Sequence, residues 1–284
     1  MTIHPVRILK GIFGIIIPSL LTKRWVRFVN YIPKRIRIIV MTLLMTSIVT
    51  IATFFPFTSS WEYFLVILAV TAYVTTYIAV FEGIDGVELI MLFIMPVIFV
   101  LSLYVFYSLL PVRWLTRLPF LALFSLGYYA MLLSSNIFNI GVEKSIQLYR
   151  AAFSVNYISQ TLIIFVFSIV LLSFRLNFFI SSIFLGGVMF ITSVQILWTV
   201  KLSEHIYKDM LMYSGVTSII MIEFMILLSF IPLAINVYAL IVTTGYYSIS
   251  GILTNHVGDR LFKAVIREYV FVFFFVIAIG LLTL

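Results

Sequence analysis

Nine apolar stretches, each long enough to cross a bilayer, leave this chain little choice of architecture. About 20 residues at 1.5 Å rise cover a hydrocarbon core of ~30 Å. By that measure, candidate spans fall at 37–57, 61–81, 87–110, 118–140, 158–175, 178–200, 210–231, 233–253 and 268–284. Lipid offers the backbone no hydrogen bonds, so stretches of this kind are expected as helices. The expected fold class is an all-α integral membrane bundle of about nine helices over residues 37–284, with an amphipathic arm at 1–36. Composition points the same way, with 63% hydrophobic and 10% charged residues against roughly 45–50% and 25% in soluble domains. A soluble chain could not hide that much apolar surface. The absence of cysteine removes disulfides, iron–sulfur clusters and thiol catalysis, and leaves the redox compartment open.

The arm carries Arg7, Lys10, Lys23, Arg24, Arg27, Lys34 and Arg35 around the apolar run GIFGIIIPSLL. That run is too short to span, and Pro18 interrupts it. A basic cluster follows where a signal peptide would place its small-residue cleavage site. The arm is therefore expected to lie on the membrane surface, with Lys23, Arg24, Arg27, Lys34 and Arg35 meeting anionic lipid headgroups. An arm that only fixes topology is the alternative. Residues 142–157 and 254–267 read as amphipathic lead-ins to the fifth and ninth spans.

Charge placement sets the expected sidedness. With the N-terminus inside, fifteen of the eighteen Lys and Arg residues fall on the cytoplasmic side. Only Arg113, Arg117 and Arg175 fall outside. A multi-pass protein of the cytoplasmic membrane is expected, its N-terminus cytoplasmic and its C-terminus outside. The net charge of +8 is thus a topology signal. It does not mark a nucleic-acid surface, since no solvated domain is present to carry one.

Chemistry-bearing residues are few. Glu223 lies near the middle of residues 209–233 and is the one ionisable side chain expected deep in a span. An intramembrane carboxyl is costly unless protonated or paired. Candidate partners are Asn136, Thr192, Gln195, Asn236, Tyr238 and Thr243, and the expected roles are a proton-linked or ligand-binding carboxyl or a neutral acid that locks helices together. Ser214, Thr217 and Ser218 form a small-residue stripe on roughly the opposite face, suited to close helix packing. Glu82, Asp85 and Glu88 recur every third residue in FEGIDGVE. They suit either a Mg²⁺–phosphate site or a solvated acidic turn that starts the third span. The run E-x-x-D-G resembles half of the CDP-alcohol phosphotransferase signature, but Leu89 and Ile90 stand where Ala-Arg is required. Arg113 and Arg117, four apart in LLPVRWLTRLPF, can clamp an anionic headgroup, pair with Glu62 or snorkel. The three histidines lie outside the spans, no span has a central lysine, and no hydrolase motif appears. No cofactor or metal is expected.

The segments FEGIDGVE, LLPVRWLTRLPF and RLFKAVIREY, in this order, resemble an uncharacterised family of polytopic membrane proteins from small-genome, uncultured bacterial lineages. The resemblance covers most of residues 60–284 and excludes the basic arm. It implies a bacterial cytoplasmic-membrane protein and carries no assigned activity, cofactor or catalytic residue. Scarcity of intramembrane charge favours a non-enzymatic scaffold or assembly subunit that binds lipids and other membrane proteins. The alternative is a transporter or channel for a small or lipophilic solute, with Glu223 as its proton-linked residue.

Overall fold

A computed structural model of the chain describes residues 33–55, 61–81, 84, 86–140 and 146–282. Among the described residues it is all-helical, with nine helices and no strand. They are α1 (Lys34–Ala52), α2 (Trp61–Val80), α3 (Glu88–Tyr107), α4 (Trp114–Ile140), α5 (Ile146–Ser173), α6 (Phe178–Lys201), α7 (Lys208–Leu228), α8 (Ile235–Val257) and α9 (Lys263–Leu281). All nine are long and apolar enough to cross a membrane.

The helix starts and stops have local causes. Asn177 caps α6, its side chain accepting from the Phe179 N–H at 3.0 Å. Leu202 closes the same helix in the left-handed region. Pro96 and Pro119 leave α3 and α4 continuous, as Gly186 and Gly187 leave α6. The 142–157 lead-in is no separate segment in its described part, because α5 is unbroken from Ile146. At 28 residues it is about 42 Å long, well beyond a ~30 Å core. Likewise α1 begins at Lys34 and takes three residues assigned to the arm, Lys34, Arg35 and Ile36.

Neighbouring helices run up and down. Arg37 at the start of α1 donates from Nε to the Ala79 carbonyl at the end of α2, at 3.2 Å. Tyr149 at the start of α5 donates to the Thr199 carbonyl at the end of α6, at 2.6 Å. At the opposite end, Tyr238 of α8 donates to the Met225 carbonyl of α7 at 2.7 Å. The central helix is α5, which packs on α3, α4, α6 and α8. It joins a core built mainly from α1–α4 to one built from α6–α8, and Ile163 and Ile164 face the two. The rim positions belong to α7, held by α6 and α8, and to α9, which rests mainly on α8. Gly251 and Gly245 of α8 make room for Tyr269 and Phe273 of α9. Apart from Gly280, no residue of α9 is buried.

Candidate functional site

The two faces of α7 differ in residue size more than in hydropathy. Its inner face carries Ser214, Thr217, Ser218, Met221 and Met225, all buried. Ser218 Oγ donates to the Gly186 carbonyl at 2.7 Å, so the small residues bring α7 close to α6. The outer face presents Met212, Val216, Ile219, Glu223 and Ile226, spaced alternately by four and three residues along one line. That spacing makes a straight seam of the coiled-coil type. Val216 and Ile219 are 51% and 58% exposed.

Glu223 is exposed within this seam and has no hydrogen-bond or ion-pair partner among the described residues. It lies five residues before Leu228, about 7–8 Å from the helix end. It is therefore in the last third of α7, off the midpoint expected from the longer apolar run. None of the polar groups expected to surround it bonds to it: three are engaged elsewhere, and Thr243 Oγ1 and Asn136 Oδ1 are buried without a hydrogen-bond partner among the described residues. Tyr238 bonds to Met225, Thr192 lies 2.9 Å from the Tyr246 hydroxyl, and Gln195 accepts from Asn156 at 3.0 Å. Asn236 is exposed at the start of α8, and Asn136 belongs to α4. Next to Glu223, Phe224 turns toward α9 and meets Phe273 with ring centroids 5.6 Å apart.

The two arginines of LLPVRWLTRLPF part company. Arg117 is buried and donates from Nη2 to the Thr53 carbonyl at 3.1 Å and from Nε to the Tyr107 hydroxyl at 3.3 Å. Its guanidinium lies 3.9 Å from the Phe54 ring centroid and 5.0 Å from that of Trp114. It ties the ends of α1 and α3 to the start of α4. Arg113 is exposed, and Glu62 is exposed and pairs with neither arginine. Glu88 is half-buried in the first turn of α3, whereas Glu82 and Asp85 lie outside the described residues. The described residues hold no cluster of His, Asp and Glu fit for a metal ion. Of the headgroup arm, Lys34 and Arg35 open α1, and Lys23, Arg24 and Arg27 lie outside the described residues.

No family model, curated protein or solved structure matches this chain.

A polar cluster at the waist of the bundle was not singled out from the sequence. Tyr246 of α8 is buried and its hydroxyl meets Gln160 of α5, with Thr192 and Ser193 of α6 at 2.9 and 3.3 Å. Beside it, Asn156 donates to Gln195. The legible cue was a pair of amides, Asn156 and Gln160, four residues apart in an apolar span. These bonds knit α5, α6 and α8 together around neutral groups.

One cavity, of about 300 Å³, opens where α6 and α8 end and α7 begins. Its wall includes Lys201, Tyr207, Asp209, Tyr213, His256 and Asp259, and neither Glu223 nor Gln160 lines it. The Tyr213 and His256 rings meet edge to face, 5.8 Å between centroids.

Proposed function

We propose that this chain is a non-enzymatic integral membrane subunit that holds a helix of another membrane protein along the outer face of α7. One observation carries this reading. Glu223 is exposed within an apolar seam and has no partner among the described residues. A charged side chain facing lipid costs at least ~2.5 kcal/mol, and less near the interface. A partner helix with a cation or hydrogen-bond donor at the same depth removes that cost. A lone polar residue in such a seam also sets register and partner choice. Because the polar cluster in the core is neutral and ties α5, α6 and α8 together, the bundle serves as a rigid support for the seam.

The membrane is proposed to be a bacterial cytoplasmic membrane, with the N-terminus inside and the C-terminus outside. The bias of Lys and Arg along the sequence supports this sidedness. The arm at residues 1–36 is proposed to bind anionic lipid.

Photo-crosslinkers at Val216 and Ile219, with controls at Leu115 and Leu123 on the exposed side of α4, test the reading. Products at the α7 positions alone, lost in Glu223→Leu and reduced in Glu223→Gln, are expected. A product of twice the chain mass would make the occupant a second copy. Products at all positions alike, or none, refute a specific seam. Unchanged crosslinking together with loss of proton-coupled flux in Glu223→Gln proteoliposomes would replace it with the transport reading.

A further inference from the structure

The cavity at the α6–α7–α8 end has chemistry that the partner-helix reading leaves unused. Lys201 is the last residue of α6, Asp209 lies in the first turn of α7, and Asp259 follows the end of α8. All three line the same space, yet none forms an ion pair among the described residues. Opposite charges on flexible side chains collapse onto one another unless the fold keeps them apart. The backbone at the cavity edge takes two left-handed turns, at Leu202 (φ 44°) beside Lys201 and at Asp259 itself (φ 55°). Asp tolerates that backbone region better than most residues.

We infer that this cavity binds a phosphoethanolamine group, an ammonium and a phosphate joined by two carbons. The wall is complementary to a zwitterion. Asp209 and Asp259 accept hydrogen bonds from an ammonium, and the Tyr207 and Tyr213 rings offer it π faces. Lys201 meets the phosphate. Met210 and Val257 supply the apolar part of the lining. A volume of about 300 Å³ is at the low end of ligand sites, enough for a headgroup and too small for acyl chains. The position suits a lipid source, since Lys208, Asp209 and Arg260 gather at this end while the helices beyond it are apolar. Phosphatidylglycerol has no ammonium to offer the two carboxylates. Phosphatidylcholine has one without N–H donors, so it forfeits their hydrogen bonds.

The test uses the full chain in detergent, with short-chain phosphatidylethanolamine, phosphatidylglycerol and phosphatidylcholine, and with soluble glycerophosphoethanolamine. Binding is followed by the fluorescence of Trp198, near the cavity, and by thermal protection. Phosphatidylethanolamine is expected to bind at least about tenfold more tightly than phosphatidylglycerol. Asp259→Asn keeps a residue that accepts the left-handed turn, so the variant should fold and still lose about tenfold for the ethanolamine lipid. Lys201→Gln should weaken all the phosphate-bearing ligands alike. If the soluble ester binds with the same Asp259 dependence, the headgroup suffices; if only the lipid binds, the membrane is its source. Equal affinity for the ethanolamine and glycerol lipids, or an Asp259→Asn variant that binds as the wild type does, overturns the assignment.

Discussion

Arg117 offers a measurement of how the bundle is held at the end opposite the cavity. Its side chain is 5% exposed and makes two hydrogen bonds, to the Thr53 carbonyl and the Tyr107 hydroxyl. It also lies over Phe54 and close to Trp114. The bond to Thr53 is charge-assisted and contributes about 1.5–3 kcal/mol. At 3.3 Å the bond to Tyr107 is long and adds little. The two aromatic contacts add about 1–2 kcal/mol together. Arg117→Ala should therefore cost about 3–4 kcal/mol, after which α1, α3 and α4 are no longer tied at this end. Arg117→Lys keeps the charge and loses the planar fork, so it should cost about half as much. Arg113→Ala removes an exposed side chain and should stay within ~0.5 kcal/mol. Reversible unfolding in mixed micelles, followed by helical circular dichroism and by Trp114 fluorescence, measures all three. Equal costs for the Arg113 and Arg117 truncations, or a silent Arg117→Lys, would refute the argument.

Further outcomes follow from the same packing. Gly251→Leu drives a side chain into the Tyr269 ring and the Tyr157 hydroxyl. With so little else holding α9, limited proteolysis should cut near residues 258–262 of this variant and spare the wild type. Tyr246→Phe removes the oxygen shared by Gln160, Thr192 and Ser193 and should cost about 2 kcal/mol in the same unfolding assay. Ser218→Ala deletes one buried bond to Gly186 and should cost about 1 kcal/mol. Glu223→Leu should leave the isolated chain as stable as the wild type, or more so, while weakening capture of the partner. Destabilisation by more than ~1 kcal/mol would mean that the carboxyl serves the chain's own fold.

The number and order of the helices were legible because span length and apolarity are local properties. Segment ends were less so. In soluble proteins a change of periodicity marks a boundary, but α5 passes from an amphipathic lead-in to a span without breaking its backbone. Arg117 was recognisable as an arginine at a helix end. Its burial depends on Thr53, Phe54 and Tyr107, contributed by segments up to 64 residues away. The cavity residues come from the ends of three helices, and only the assembled fold shows that Lys201, Asp209 and Asp259 share one space.

The orientation of α7 shows why polarity misleads in a chain of this kind. In water, the apolar face of a helix is its inner face, and a carboxylate marks the outside. In lipid both faces are apolar, and the cost of a bare carboxyl suggests that Glu223 should turn inward. The structure turns it outward because packing settles the question first. Ser214, Thr217 and Ser218 let α7 approach α6, and a helix has only one rotation that puts all three at that contact. With the small-residue face fixed on α6, the branched and charged residues across the helix must look out, Glu223 among them. Moving the stripe's bonded member by one position, with Ser218→Ile and Ile219→Ser together, should therefore rotate or release α7 even though composition is unchanged. A double variant that keeps Glu223 reactive to a lipid-soluble carbodiimide at the wild-type rate would show that something other than the small residues sets the rotation.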